Sequence, residues 1–328
     1  MRIAFFVNSL KKEATDSTTI RLAMEATNRG HQVWFIEADD FLLNENDCVI
    51  ASASSVPRNR YRSTSVYLEE LRGKRAIHKR IKFIDLDVLF LRGDPVPESR
   101  ERRWTKDVGI YFGKLSVRNG VLVVNDPDGL SGALNESYLD LFPEAVRPVN
   151  IITRKRGEVK KFAHEREKFL LRPLRWSPDN EEFLVTGDDL PNLNQIVESL
   201  TRDGYVIAQE FLEDKANPSG YTMVLLLEGS PLLCKGKAAA IKVVPGQGRG
   251  SLETPHLEPA TLSKKELRCI EQAKPKLMKD GMFFAGLKIV NAKIMEIDVF
   301  CPSYLSQIEE LLGNNFARPV IEALEKKA

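Results

Sequence analysis

Two carboxylates near the end of the chain, Glu296 and Asp298, are spaced so that they could act together. They lie in residues 287–299, where apolar side chains take every second position. Residues i and i+2 of a β-strand share a face, which places the two carboxylates about 7 Å apart. Such a pair could ligate Mg²⁺, which prefers oxygen ligands and bridges to substrate phosphates. The spacing alone favours a surface ion pair instead, because Glu-x-Asp is a common pattern and such pairs stabilise little.

A lysine is expected to lie across from this pair. A three-residue loop at 291–293 would turn the segment into a hairpin that pairs Lys288 with Glu296 and preserves the alternation on both strands. The sequence therefore predicts an ammonium group on the same face as the two carboxylates.

Other reactive side chains form no recognisable site. The histidines are far apart, and no Gly-x-Ser-x-Gly nucleophile elbow is present. Residues 8–11, which follow the first predicted strand, lack the glycines that let a dinucleotide pyrophosphate approach the backbone. The four cysteines have neither metal-ligand nor disulfide spacing, which predicts free thiols. A packing role is expected for Cys301.

The composition excludes several classes of function. Among 328 residues, 48 Lys and Arg nearly balance 46 Asp and Glu, so net charge does not indicate a nucleic-acid or anionic-membrane partner. A basic cluster at 74–82 lacks interleaved aromatic residues for base stacking and is expected to be a solvated helix or loop face. No apolar run approaches the ~20 residues that span a bilayer. These features predict a cytoplasmic protein without nucleic-acid or membrane partners.

The pattern of elements predicts an α/β protein of two or three modules. A strand at 2–7, a helix capped by Asp16 or Ser17, and a strand at 32–37 form a βαβ opening, which is typical of a parallel sheet. Antiparallel hairpins dominate later, including one that pairs residues 221–227 with 232–239. A glycine-rich segment at 245–250 could be a lid over a ligand or a plain hairpin loop.

Several short motifs follow one another along the chain. The carboxy-terminal ones are Gly286-Leu287-Lys288, Met295-Glu296-Ile297-Asp298-Val299, Cys301-Pro302 and Ile308-Glu309. Upstream ones are Arg92-Gly93-Asp94-Pro95, Asn135-Glu136, Ala208-Gln209-Glu210-Phe211-Leu212 and Arg249-Gly250-Ser251-Leu252. Each motif is weak alone, but their order covers nearly the whole chain and resembles that of bacterial glutathione synthetase, where the first upstream motif lies on the substrate side.

The resemblance implies an ATP-grasp fold preceded by a Rossmann-like domain. The first domain would span 1–122 and the ATP-grasp domain 123–328, with a first lobe at 123–204 and a carboxy-terminal lobe at 205–328. Members of this family join a peptide carboxylate to an amine through an acyl phosphate, using ATP and Mg²⁺. The resemblance also implies self-association into homo-oligomers and a small amino-acid or peptide ligand.

The resemblance assigns candidate roles to individual residues. Glu296 and Asp298 would be metal ligands, and Arg172 and Arg249 would be the catalytic groups near the phosphates. The residues that would bind the cofactor are Arg172, Gln209, Glu210, Phe211, Leu212 and Lys288.

The chain departs from the family pattern where the chemistry would take place. Ser137 and Arg172 stand where the two phosphate-binding lysines are expected, and residues 175–180 replace a glycine-rich loop. Arginine keeps the charge but not the geometry of lysine. Lys288 replaces an aspartate of the metal site, so an ammonium would occupy the place of a metal ion. Thr222 and Met223 replace a basic pair that grips substrate.

Two hypotheses follow from these departures. The chain could be a pseudoenzyme that lacks standard ATP-dependent ligase chemistry and retains the fold for binding or regulation, with Lys288 and Glu296 as an internal ion pair. Alternatively, it could be an active ADP-forming carboxylate–amine ligase in which Arg172, Arg175 and Arg249 bind phosphates and Glu296 and Asp298 hold one Mg²⁺.

Overall fold

A computed structural model describes residues 1–95, 102–174, 182–202, 204–213, 220–244 and 255–328. Its first elements form the predicted βαβ unit, because Ser17 caps the helix by accepting the Thr19 N–H and the two strands pair in parallel. In the described part of the chain, no helix is long and apolar enough to cross a membrane.

The first sheet has the order β3-β4-β2-β1-β6-β7, with β5 paired to the other side of β4. Strands β2, β1, β6 and β7 are parallel to one another, and β3, β4 and β5 form antiparallel pairs. Its elements are β1 (Arg2–Val7), α1 (Thr18–Asn28), β2 (Gln32–Glu37), β3 (Phe41–Leu43), β4 (Val49–Ser55), α2 (Thr64–Arg72), β5 (Ile77–Lys82), β6 (Val88–Leu91), α3 (Val108–Arg118) and β7 (Leu122–Val124).

One expectation changes in this region, and the domain boundary stays a prediction. The basic cluster at 74–82 was expected on a helix or loop; instead, most of it forms β5, because six consecutive residues pair with β4. Its side chains are solvent-exposed, as expected. The expected domain boundary at 122/123 falls inside β7, the last strand of this sheet.

The second sheet is antiparallel, with the order β10-β9-β11-β8. Helices α5 and α6 pack on one of its faces around a separate hydrophobic core. The elements are α4 (Pro127–Gly132), which precedes the sheet, β8 (Asn150–Thr153), α5 (Arg156–His164), β9 (Phe169–Pro173), β10 (Phe183–Val185), α6 (Leu193–Leu200) and β11 (Val206–Glu210).

The third sheet has the order β17-β16-β12-β18-β19, with β13 paired to β12. Its elements are β12 (Tyr221–Leu227), β13 (Ser230–Pro231), β14 (Leu233–Cys234), β15 (Lys237–Ala238), β16 (Ala240–Val244), β17 (His256–Pro259), α7 (Lys264–Lys279), β18 (Phe284–Val290) and β19 (Lys293–Asp298). The predicted pairing of 221–227 with 232–239 is wrong: β14 and β15 form a hairpin of their own, and β12 pairs with β16 on one side and with β18 on the other.

The last two helices, α8 (Leu305–Leu312) and α9 (Ala317–Lys327), return to the first domain and pack on α1. Arg29 donates to Glu325 at 2.7 Å, and Glu309 pairs with Arg21. The first and third sheets share two continuous hydrophobic cores. The chain ends are thus joined, and the second sheet is the part with a core of its own.

Gly281→Ala and Gly313→Ala form a matched pair that tests how closely the connection between α7 and β18 approaches Asp126, the residue that caps α4. Both glycines have a positive φ, 66° and 65°, so alanine meets a similar backbone strain of about 1 kcal/mol. A Cβ at Gly281 would lie 2.4 Å from Asp126 Cβ, whereas at Gly313 it would have no neighbour within 4 Å. We expect Gly281→Ala to lower the free energy of unfolding by roughly 2 kcal/mol more than Gly313→Ala in urea denaturation. Equal losses would contradict this close approach.

Candidate functional site

The hairpin of β18 and β19 carries the carboxylates. Lys288 pairs with Glu296, as predicted, and Gly286 pairs with Asp298. The predicted three-residue loop is wrong, because Asn291 and Ala292 form a two-residue turn in which both have positive φ. The register then shifts between Lys288 and Ile289, which absorbs one residue as a bulge and restores the predicted pairing.

Lys288 shares one face of this hairpin with Glu296. Its Nζ lies 4.6 Å from the centroid of the Tyr221 ring on β12, a cation–π arrangement. No ion pair within 4.0 Å joins Lys288 to the exposed Glu296, so the internal ion pair expected for a pseudoenzyme is absent between these two residues. Desolvation, followed by the nearby Tyr304 hydroxyl, raises the pKa of Tyr221 and keeps the phenol neutral.

Asp298 is turned toward its own backbone. Its Oδ1 accepts the N–H groups of Phe300 at 3.1 Å and Cys301 at 2.9 Å. Desolvation raises the pKa of Asp298 to about 6, although the Cys301 N–H and the charge of Arg92 both oppose the shift. One oxygen therefore already accepts two hydrogen bonds, and the carboxyl group ionises at a higher pH than an exposed one.

Arg92 is the buried cation beside Asp298. Only 2% of Arg92 is exposed, and it donates to Thr19 Oγ1 at 3.2 Å and to the Pro302 carbonyl at 2.9 Å. Cys301 Sγ lies 3.6 Å from the guanidinium. Desolvation raises the pKa of Cys301 to about 11, so the sulfur remains a thiol.

A cavity of about 280 Å³ opens beside this group, slightly below the ~300–1,000 Å³ typical of small-molecule sites. It gathers three of the predicted site residues, Arg172, Glu296 and Asp298. The described residues that line it are Asp94, Pro95, Ala133, Asn135, Tyr138, Leu139, Arg172, Met295, Glu296, Ile297, Asp298, Phe300 and Cys301.

The other described candidate residues, Gln209 included, do not line this cavity. Gln209 is buried and accepts from Arg172 at 3.3 Å, so the two act on one face of the second sheet. Glu210 accepts the Val149 N–H at 3.0 Å. The described residues lining the cavity do not include Glu210, Phe211, Leu212 or Lys288.

Some predicted site residues and segments fall outside the described residues. These are Arg249, Arg175, the loop at 175–180 and the glycine-rich segment at 245–250.

Sequence reasoning missed part of the cavity wall. Tyr138 lines the cavity and donates to Asp280 Oδ2 at 2.8 Å, which joins the wall to the end of α7. No sequence signal marked Tyr138. Asp94 also lines the cavity, and the Arg92-Gly93-Asp94-Pro95 motif was a signal that could have placed it in the site.

The residues present do not fit the Mg²⁺ site that the resemblance implies. Lys288 supplies an ammonium in place of a carboxylate, and Asp298 has one oxygen committed to backbone N–H groups. Across the described ranges, no group of three or more His, Cys, Asp or Glu side chains is placed to hold a metal ion. Of the two predicted ligands only Glu296 is exposed, and the aspartate that the resemblance implies as a further ligand is replaced by Lys288.

Family comparison gives the chain a clear relationship. The family model for the amino-terminal domain of prokaryotic glutathione synthetase matches residues 1–131, and the model for its ATP-grasp domain matches 136–313. The chain belongs to the prokaryotic glutathione synthetase family. The predicted family and fold class, an ATP-grasp domain preceded by its amino-terminal domain, are therefore confirmed.

Individual relatives support the same assignment. The glutathione synthetase of Vibrio vulnificus is 27% identical over 327 residues, which cover 97% of this chain and 94% of that protein. That of Pseudomonas syringae pv. tomato is 31% identical over 247 residues, or 74% of this chain and 73% of that protein. Among solved structures, the ATP-grasp ligase PsnB complexed with minimal precursor has a TM-score of 0.64 at 14% identity, with 99% of each chain covered. That structural likeness concerns the fold.

Asp298→Asn tests the desolvated carboxylate through the pH dependence of stability. The folded pKa of about 6 lies above the unfolded value of about 3.9, so the native state binds the proton more tightly. This group therefore costs the wild type roughly 3 kcal/mol of stability as the pH rises through that window. We expect Asp298→Asn to lose this pH dependence and to be more stable than the wild type above it, measured by urea denaturation.

The matched control is Glu296→Gln, which changes an exposed carboxylate of the same strand. It should leave the slope between the two pKa values within error of the wild type. A wild-type slope retained in Asp298→Asn would refute the assignment of this proton to Asp298.

Proposed function

We propose that this member of the glutathione synthetase family lacks standard Mg·ATP-dependent ligase chemistry and acts as a binding or regulatory pseudoenzyme. Its ligand would be a small amino-acid or peptide molecule bound in the cavity beside Glu296 and Asp298. The family assignment supplies the fold and the location, and the departures from the family supply the argument about activity.

The observation that carries this proposal is the position of Lys288. It pairs across the hairpin with Glu296, and its ammonium is held over the Tyr221 ring. A doubly charged cation and an ammonium repel each other by roughly 5 kcal/mol at ~6 Å and an effective dielectric constant of ~20, so an ammonium across from Glu296 opposes a metal ion there. Glu296 would recover only part of that cost. The side chain therefore supplies a fixed positive charge and opposes a metal ion at the same place.

The phosphate side of the site supports the same conclusion. Arg172 lies in the cavity, but its guanidinium also donates to Gln209 at 3.3 Å. An arginine offers a planar fork of donors, whereas the family's lysine offers a compact ammonium on a flexible stem. Phosphate binding by Arg172 would thus require a different ligand position, even though the positive charge is retained.

The chemistry available to the described residues is binding and orientation. Asp94 and Glu296 offer carboxylates to an amino group, and Arg172 offers a guanidinium to a carboxylate. An amino acid or short peptide carries both groups. The cavity volume of about 280 Å³ suits a ligand of this size better than a complete nucleotide.

An active ligase remains the second candidate, and one observation favours it. Arg172 and Glu296 line the same cavity, so a cation that could bind a phosphate and a carboxylate that could hold Mg²⁺ lie together. In that case Arg172 and Arg249 would bind the phosphates of ATP, and ADP would be released as an amine attacks an acyl phosphate.

Lys288→Asp tests whether the ammonium excludes the metal. We expect wild-type affinity for ATP to be the same with and without Mg²⁺, and the variant to bind ATP at least about tenfold more tightly when Mg²⁺ is present. Isothermal titration calorimetry measures both. Lys160→Asp makes the same charge change on an exposed helix position and should behave as the wild type. Tight, Mg²⁺-dependent binding by the wild type would overturn the pseudoenzyme proposal.

ADP release separates the two candidates directly. With Mg·ATP and a broad panel of amino acids and short peptides, the pseudoenzyme should release ADP no faster than the buffer blank. A coupled ADP assay provides the measurement, with a glutathione synthetase of the family as positive control. Steady acceptor-dependent release that is lost in Glu296→Gln would instead establish the ligase.

A further inference from the structure

A second cavity, of about 560 Å³, lies between the start of α7 and strands β12, β16 and β18. Its described lining residues are Gly220, Tyr221, Thr222, Lys242, Thr261, Ser263, Lys265, Glu266, Ile289, Val290, Asn291 and Ala292. The cavity beside Glu296 has none of these residues in its described lining, so the two cavities are separate.

Thr222 is the buried polar group of this second cavity. Only 6% of it is exposed. It pairs with Lys242 on β16 and with Ile289 on β18, and all three line the cavity, which fixes its side chain on the cavity face. Within the described residues its hydroxyl has no hydrogen-bond partner. A buried hydroxyl of this kind is available to a ligand.

The amino terminus of α7 forms the facing wall. Ser263 caps this 16-residue helix, and the Ser263 N–H and hydroxyl donate to Glu266 at 2.8 and 2.7 Å. The Glu266 carboxylate is therefore engaged by the capping box. The N–H groups of Lys264 and Lys265 have no intrahelical acceptor at this end of the helix. They and the helix dipole favour an anion here.

We propose that this second cavity binds a small organic phosphate. The phosphate group would accept hydrogen bonds from the start of α7 and from Thr222, between the side chains of Lys242 and Lys265. The cavity is much larger than a phosphate ion, and Ile289 and Val290 provide an apolar wall for the organic part.

Titration of the full-length chain with inorganic phosphate and with glycerol 3-phosphate tests this site. Calorimetry should give a lower Kd for the ester than for the inorganic ion, because only the ester contacts the apolar wall. The amide resonances of Lys264 and Lys265 should shift in the same titration. No binding of either compound would overturn the site, and equal affinities would overturn the organic class of ligand.

Adjacent lysines provide the matched control. Lys265 lines the cavity and Lys264 does not, although both are exposed in the first turn of α7. Lys265→Gln should weaken glycerol 3-phosphate binding about tenfold or more, the equivalent of one charge-assisted hydrogen bond. Lys264→Gln should stay within about twofold of the wild type, since only long-range charge is lost. Equal effects of the two variants would indicate non-specific attraction and refute the site.

Thr222 and Arg172 complete the test. Thr222→Val should weaken binding about fivefold by removing the hydroxyl, and Thr222→Ser, which keeps it, should retain wild-type affinity. Loss of binding in both variants would show that packing, not the hydroxyl, matters and would count against the proposal. Retained affinity in Arg172→Gln supports binding in the second cavity, whereas loss would place the phosphate in the first.

Discussion

Two buried polar side chains, Arg92 and Asn125, hold the first sheet against the carboxylate hairpin. Asn125 donates to the carbonyls of Phe284 and Val299 at 2.8 and 2.5 Å and accepts the Phe284 N–H at 2.8 Å. Arg92 bonds to Thr19 and Pro302. Because a buried polar group without partners costs free energy, each side chain specifies one relative position of the two domains.

That constraint determines what the hairpin can do. Arg92 stabilises the anionic form of Asp298 against desolvation, and the turn after β19 directs this carboxylate to its own backbone. Lys288 lies on the neighbouring strand β18, which carries no carboxylate of its own. The interactions that position the hairpin therefore also engage one oxygen of Asp298, which couples the framework to the site.

The sequence predicts the fold well wherever period and order determine it. The alternation in 287–299 gives the pairing of Lys288 with Glu296, and the collinear motifs give the domain order. Turn chemistry was harder, since a two-residue turn plus a bulge has the same register as a three-residue loop. The partner of β12 was missed because the small hairpin of β14 and β15 interrupts the run. The cavity wall at Tyr138 depends on packing between distant segments, which no local pattern contains.

The first sheet ends at β5, whose outer edge has no partner strand among the described residues. Lys79, Arg80 and Lys82 lie on this edge strand, and their side chains are exposed. An unpaired edge is a template for strand addition, and closely spaced positive charges oppose it because a second copy would bring like charges together. The cluster thus opposes edge-to-edge pairing of two copies through β5.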